Sequence, residues 1–590
     1  MTGNEAIARG VYEYGVKFAS AYPGTPSTEI IENIALYKDD VIAEMATNEK
    51  VALEAVIGAS IGGVRSIASM KHVGLNVAAD PLFTCAYTGV DGGLVVITAD
   101  EPGMHSSQNE QDNRNYAKAA KIPMFEPSTS QEAKDMLKYA FEVSEEYDTP
   151  VLYRLTTRLC HSKGLVECHE REEVPNKPYN KDVVKRVPVP AFSRIMRVKV
   201  EERTQKLKEY SEKTDLNYME INNTEIGIVA SGMCINFAKE VFGENASYMN
   251  LGFTNPLPEN KLKEFASKVK KIYVIEENDP YIEEFMKVIG IECHGKDVLP
   301  AYGEMTPDVI RESILGEKLK SKTGKDELVV SRPPTFCAGC PHRGFYYELG
   351  KRKDVIVAGD IGCYALGFSE PYNAMDYSVC MGAAFGLAHG CQSAINSNED
   401  NNKKVVGVIG DSTLFHTGIN GLINAVYNKS KSISVILDNR ITGMTGHQEN
   451  PGSGFTLSGD PTTIIDIEQL VKACGVKNVR TVNPNNLDEV KEALDWAVSL
   501  DEYSVIITRY PCALKKFSQA DKEEFGDLFT DKYKVDEEKC IGCKKCTKVG
   551  CPAISFDKEN KKANVDRTQC IGCSVCSQVC PKEAILKEEK

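Results

Sequence analysis

The sequence predicts an α/β protein made of several parallel-sheet domains, followed by a small cysteine-rich module. Three observations predict this. Apolar runs such as Leu94–Thr98 alternate with helical stretches such as Asn48–Ile61, the alternation of parallel α/β architecture. Eight of the 20 cysteines crowd into the 51 residues from Cys540 onward, at triplet spacings. A chain of 590 residues holds about four domains at ~150 residues each.

Composition narrows the function classes. Hydrophobic residues make up 42% and charged residues 26%, which is globular and not disordered or fibrous. A net charge of −14 and a pI near 5.4 exclude sequence-independent binding to nucleic-acid phosphates. No run reaches the ~18 uncharged apolar residues of a membrane span. The nearest, 379–395, is broken by Gly386, His389 and Gly390. The chain begins MTGNEAIARG, where Thr2 and Glu5 form a capping-box pattern and no cationic, apolar leader is seen. A cytoplasmic protein is expected, with its clustered cysteines serving as metal ligands and not as disulfides.

The elements follow in order. Residues 1–165 read as a first α/β domain. Residues 166–224 lapse into charge, as in VEERTQKLKEYSEKTD, with Pro175, Pro178, Pro188 and Pro190, and read as a connector. Residues 225–317 form a smaller α/β domain: the strand EIGIVASG, a helix near 235–242, the loop TNPLPEN and the strand KIYVIEEN. The polar run KLKSKTGKDE is a second linker. Residues 328–515 open with VSRPPTFCAGCPHR and carry the strands VVGVIG and SVILD on either side of a helix. Residues 531–590 are the cysteine-rich module, in which CIGCKKC and CIGCSVC repeat thirty residues apart.

In that module, Cys540, Cys543, Cys546 and Cys551-Pro are followed by Cys570, Cys573, Cys576 and Cys580-Pro, the spacing of a bacterial two-cluster ferredoxin. Each triplet wraps three corners of a [4Fe–4S] cube, and the Cys before each proline ligates the other cube. The expected sets are Cys540, Cys543, Cys546 and Cys580, and Cys570, Cys573, Cys576 and Cys551. The first run has four residues before its last Cys where the pattern has three. A zinc ribbon is the alternative, and the paired triplets with Cys-Pro argue against it.

In the third domain VVGVIG ends in Gly410-Asp411-Ser412, and VILD ends in Asp438-Asn439-Arg440-Ile441. Carboxyl ends of parallel strands are where open α/β sheets bind ligands. A carboxylate, an amide oxygen and a carbonyl there suit Mg²⁺ and phosphate oxygens, and glycine at 410 allows close backbone approach. GDS followed after 25 residues by DN resembles the thiamine-diphosphate signature. That resemblance implies that Asp411, Asn439 and the main-chain oxygen of Ile441 hold magnesium. Enzymes of this group supply a carboxylate to the cofactor's pyrimidine ring from a second domain. Glu49, in EMATNEKVALEAVIGAS, is the expected residue, with Glu44 as the alternative. An acid favoured in a first helical turn is the plain reading of Glu49.

YPGTPSTE, DNRITGMTGHQ, VIEEND and the terminal module together resemble 2-oxoacid:ferredoxin oxidoreductases. RPPTFCAGCPHRGF, GDIGCYALG and CMGAAFGLAHG resemble the alpha subunits that act on aryl 2-oxo acids such as indolepyruvate and phenylpyruvate. The resemblance implies several thiamine-diphosphate-enzyme domains plus a two-[4Fe–4S] ferredoxin module. It implies oxidative decarboxylation of an aryl 2-oxo acid with coenzyme A and oxidised ferredoxin, giving arylacetyl-CoA, carbon dioxide and reduced ferredoxin. It also implies a smaller beta subunit in an alpha2beta2 assembly. The same chemistry on pyruvate or 2-oxoglutarate is the main alternative. A non-oxidative decarboxylase leaves the ferredoxin module unexplained, and Glu49, Asp411 and Asn439 argue against a non-catalytic electron-transfer scaffold.

By the same resemblance Arg114, in QNEQDNRNY, is placed to fork a substrate carboxylate, with Thr25 of YPGTPS as a hydroxyl neighbour. His72, in MKHVGLN, is placed to polarise the keto oxygen or to act as an acid. Each has a plain alternative, a solvated arginine or a hydrogen-bonded core histidine. Cys337, Cys340, Cys363 and Cys512 correspond to the ligands of a third [4Fe–4S] cluster, against a reading as buried free thiols. Of His342, His416 and His447, the last two lie nearer the metal-binding tips in sequence.

Overall fold

A computed structural model describes residues 1–318, 330, 332–397, 402–526, 528–529 and 531–588. The chain divides into two compact units, 1–324 and 325–590. Apart from Lys318, the polar run 318–327 lies outside the described residues.

The first unit contains strands β1 (Phe18–Ala21), β2 (Ile42–Met45), β3 (Ser66–Lys71), β4 (Leu94–Asp100), β5 (Met124–Phe125), β6 (Val151–Thr156), β7 (Asn217–Glu220), β8 (Ile226–Ser231), β9 (Ser247–Leu251), β10 (Phe253–Asn255) and β11 (Lys271–Ile275). Seven of them form one sheet in the order β10-β5-β6-β4-β3-β1-β2, antiparallel only where β10 joins β5. SIASMK, LVVITAD and VLYRLT are buried along their whole length, as central strands of a parallel sheet must be. The chain runs from β1 out to β2 and returns to β3 on the other side of β1. The carboxyl ends of β1 and β3 therefore flank a topological switch point, where open α/β sheets bind ligands. A second sheet runs β11-β8-β9-β7, with β7 antiparallel.

The stretch expected to be a charged connector, 166–224, is built otherwise. It contains a helix, Pro190–Lys213, and supplies β7 to the second sheet. Met196, Val200, Arg203, Leu207 and Ser211 form the helix's buried stripe, and charge covers its other faces. The Arg203 guanidinium donates to the main-chain oxygens of Ala86 (2.6 Å) and Asp148 (2.8 Å), so one long side chain closes two loop ends of the neighbouring domain. The segment 225–317 likewise does not keep to its own sheet, since β10 extends the first one.

The second unit contains β12 (Val355–Ala358), β13 (Lys404–Gly410), β14 (Ile433–Asp438), β15 (Asn478–Val482) and β16 (Ser504–Arg509), all parallel, in the order β12-β13-β14-β16-β15. Gly410 pairs with Leu437, so the ends of β13 and β14 lie side by side. The terminal module adds two antiparallel pairs, β17 (Tyr533–Val535) with β20 (Ile585–Lys587), and β18 (Ile554–Asp557) with β19 (Lys562–Val565). Its apolar clusters are a few residues each, with Cys546 and Cys570 among them. Modules with so little apolar interior commonly rely on bound metal for stability.

Candidate functional site

Both acidic tips of the second unit face the same end of its sheet. Asp411 follows β13 and is fully buried. It accepts from the amides of Ser412 (2.7 Å) and Ile441 (3.2 Å). The Ile441 amide also reaches the side-chain oxygen of Asn439 (3.3 Å), so carboxylate and amide oxygens converge there. Burial, and then the neighbouring Asp438, push the Asp411 carboxyl up to about 7. A bound divalent cation reverses that pressure and returns such a group to its ionised form. Hard oxygens held without a protein cation fit Mg²⁺. Asn439 is oriented from behind, its side-chain nitrogen 3.5 Å from Nε2 of the buried His342.

Glycine at 410 also has a reason within the chain itself. A Cβ there would meet the Tyr364 ring at 2.7 Å, so the missing side chain makes room for an aromatic of this chain. The Tyr364 hydroxyl in turn bonds Thr413 (2.8 Å) and the Ile361 carbonyl (2.8 Å), tying the Asp411 turn to the loop after β12. Asp360 anchors that loop by accepting from the amides of Ile361, Gly382 and Ala384. His416 is buried beside Thr417 (3.1 Å), whereas His447 is half-buried in the loop after β14.

In the first unit, Glu49 opens the helix Glu49–Ile61, capped by Asn48, whose side chain accepts from the Val51 amide (2.9 Å). Glu49 is buried, and its carboxylate lies directly over Gly74, where a Cβ would stand 2.6 Å from Oε1. Gly74 belongs to the helix His72–Val77 that follows β3, so Glu49 reaches the switch point of the sheet. Glu44 lies within β2 and accepts from Ser20 (3.0 Å). Thr25 is half-buried in the loop after β1. His72 is fully buried with Nε2 3.3 Å from the Asn109 carbonyl. Burial, and then Lys71, hold its pKa below the ordinary histidine value.

Arg114 also departs from its expected role. It is buried, with Nη2 2.5 Å from Asp112, Nη1 2.6 Å from Glu276, and further bonds to the Glu277 and Asp279 carbonyls. Its fork is filled by the VIEEND segment after β11, which leaves it to join two sheets of the unit and no donor face for a substrate.

The scattered cysteines are gathered by the fold. Cys363 follows β12 and Cys512 follows β16, and the Cys512 amide donates to the Asn439 carbonyl (3.0 Å). Burial, and then the Cys512 and Cys337 thiols, push Cys363 up to about 11. Cys340 is raised by burial foremost, with Cys512 and Cys363 adding to it. Cys363 Sγ also borders Gly443, as the Asn439 side chain does. In the terminal module, Cys551 and Cys570 raise Cys573, after burial and against the nearby Arg343, while Cys580, Cys540 and Cys543 raise Cys546 after burial. Cys576 is raised by burial, then by Cys573, Cys551 and Cys570, and also by Cys546. Among the described residues no three such groups converge on one point as ligands of a single ion. Ligands of a cube each hold a separate iron and need not converge.

Residues 9–222 match the family of pyruvate flavodoxin/ferredoxin oxidoreductase thiamine-diphosphate-binding domains, 360–508 the C-terminal TPP-binding domain of thiamine pyrophosphate enzymes, and 533–586 a 4Fe-4S dicluster domain. The chain is 40% identical over 622 residues to indolepyruvate oxidoreductase subunit IorA of Archaeoglobus fulgidus, covering 99% of this chain and 97% of that one. It is 42% identical over 619 residues to the same subunit of Methanothermobacter marburgensis, covering 100% and 97%. The chain belongs to the IorA family of indolepyruvate oxidoreductase subunits. Its similarity to a 2-oxoglutarate synthase subunit KorA of M. marburgensis is weaker, 25% over 54% of this chain. As a member of that family it is a thiamine-diphosphate and iron–sulfur oxidoreductase subunit of the 2-oxoacid type. No helix among the described residues is long and apolar enough to cross a membrane.

Sequence reading left several residues of this IorA-family site without a role. Asp360 and Tyr364 lie in the quoted string GDIGCYALG, and His342 in CAGCPHR, but their partners Gly382, Thr413 and Asn439 are distant in sequence. The one available signal was the density of unusual residues in those strings.

Proposed function

We propose that this chain is the alpha subunit of an enzyme that oxidatively decarboxylates aryl 2-oxo acids with coenzyme A, passing the electrons singly to a soluble ferredoxin. The observation that carries the reading is the meeting of Cys337, Cys340, Cys363 and Cys512 beside Asp411 and Asn439, in the unit that also bears the two-cluster module. Full-length identity near 40% to indolepyruvate subunits, against half-length similarity at 25% to a 2-oxoglutarate subunit, favours the aryl acid.

Thiamine diphosphate, when bound, supplies the carbon nucleophile and the electron sink for decarboxylation. Asp411, Asn439 and the main-chain oxygen of Ile441 hold its magnesium and diphosphate. Glu49, a buried carboxylate at the first unit's switch point, would be the group to exchange a proton with a pyrimidine ring bound there. Thr25 lines the same switch point, and His72 stands there to polarise the keto oxygen or to act as an acid. Four thiolates from Cys337, Cys340, Cys363 and Cys512 hold a third [4Fe–4S] cluster next to this site, and the terminal module carries the electrons outward. A smaller beta subunit completes the catalytic chamber in an alpha2beta2 assembly in the cytoplasm.

The test is anaerobic viologen reduction by the chain co-expressed with its beta subunit, comparing indolepyruvate, phenylpyruvate, pyruvate and 2-oxoglutarate with and without coenzyme A. Coenzyme A-dependent reduction favouring the aryl acids is the expected result. Reduction only with pyruvate or 2-oxoglutarate overturns the substrate, and carbon dioxide release without dye reduction overturns the redox coupling.

A further inference from the structure

Arg343 is among the largest fully buried side chains of the protein, and neither its position nor its partners enter the thiamine site. It lies in the first turn of the helix His342–Leu349, immediately after the Cys337–Cys340 loop. Nη2 donates to the carbonyls of Phe336 (2.6 Å) and Cys337 (2.8 Å), and Nη1 donates to the Tyr372 hydroxyl (2.7 Å) and to the Val549 carbonyl (3.1 Å). Tyr372 donates to the same Val549 carbonyl (2.8 Å). Val549 lies two residues before Cys551, so one guanidinium holds the CxxC loop to the loop that brings Cys551 to its cube. The two surfaces meet elsewhere as well. A Cβ on Gly339 would stand 2.0 Å from the Ile571 side chain, and Ala338 packs with Ala553, Val565 and Cys570.

The charge of this side chain is the informative part. Arg114 and the neighbouring buried Arg154 are ringed by carboxylates, whereas Arg203, like Arg343, donates to main-chain carbonyls. Among the described residues, the partners of Arg343 are three carbonyls and a hydroxyl, and its Nε has none. A buried permanent cation with only neutral partners is costly unless an anion lies nearby. A thiolate-ligated [4Fe–4S] cube is an anion and gains one further negative charge on reduction. Arg343 is within electrostatic reach of both Cys573 and Cys340.

We propose that Arg343 is a positioning residue for electron transfer: it clamps the CxxC loop to the inner cube of the terminal module, the one ligated by Cys551, Cys570, Cys573 and Cys576, and its fixed charge raises that cube's reduction potential. The outer cube, ligated by Cys540, Cys543, Cys546 and Cys580, is joined to this clamp through Cys546, which opens the short helix Cys546–Val549, and serves as the comparison. The inference builds on the cluster assignment above but not on the third cluster, since its readout is the inner cube of the dicluster domain.

The test is an anaerobic EPR-monitored redox titration of the full alpha–beta complex, with Cys543→Ser used to mark the outer cube's signal. Arg343→Met is expected to shift the inner cube's oxidised-to-reduced ratio at fixed potential at least tenfold toward oxidised, about 59 mV for one electron. The outer cube is expected to stay put, and Arg343→Lys, which keeps the charge, is expected to restore most of the shift. If the methionine variant does not fold, Arg343→Gln keeps a donor for the carbonyls and must show the same shift. An unchanged inner cube, or equal movement of both cubes, overturns the proposal. Iron counting on the same samples separates this outcome from loss of the third cluster.

Discussion

The two groups of thiols in the second unit are made in opposite ways. The terminal module carries all its ligands between Cys540 and Cys580, and their spacing alone sorts them into two sets. The other group, Cys337, Cys340, Cys363 and Cys512, is four of the seven cysteines between 337 and 512, and the parallel sheet brings its members to one edge. Parallel order puts the carboxyl ends of β12, β13, β14 and β16 on one edge, and those four neighbouring strands deliver Cys363, Asp411, Asn439 and Cys512 in turn. The first group is a local motif that can be read letter by letter. The second is a product of topology, at the edge that also carries Asp411 and Asn439.

The comparison can be broken most sharply at Asp411. Asp411→Ala is expected to abolish magnesium-dependent thiamine diphosphate binding, measured by calorimetry, while the iron of the terminal module stays in place. Retained binding contradicts the site. Next is Glu49→Gln, which is expected to bind the cofactor normally yet lose at least ~100-fold in turnover, the scale of a removed proton-transfer group. Turnover near that of the unaltered chain would return Glu49 to an ordinary first-turn acid.

The same contrast explains what could be read from the sequence. The strands, the dicluster spacing and the two acidic tips were legible because each is short and periodic or follows a strand. The helix Pro190–Lys213 was not, because three apolar residues of its buried stripe are spaced widely among charges and a fourth position is filled by Arg203. Arg114 was misplaced for a related reason. Its sequence neighbours suggest an open loop, while Glu276 and the Glu277 carbonyl, more than 150 residues on, fill its fork. Glycine at 410 was read as room for a phosphate, and the fold adds Tyr364 as a neighbour that the sequence does not reveal.

Two smaller effects sharpen the account in the first unit. Arg114→Met leaves Asp112 and Glu276 buried without their cation, and the expected loss is about 3–5 kcal/mol by denaturant unfolding. A change under ~1 kcal/mol would mean that the fork is not a structural tie. Glu277 titrates in the same network, where burial pushes its carboxyl up from 4.5 to about 7. Between those values the native form holds a proton that the unfolded chain has released, so stability falls as pH rises through the window. Glu277→Gln is expected to flatten that part of the profile of melting temperature against pH, and an unaltered slope would assign it to other groups.

The central claim is that topology, not local spacing, builds a third cluster beside the thiamine site. Its most direct measurement is the iron content of anaerobically purified, fully loaded alpha subunit, alone and with Cys340→Ala. The account predicts about twelve irons per chain, falling to about eight in the variant, at four per cube. About eight in both would contradict it and leave Cys337, Cys340, Cys363 and Cys512 as free thiols.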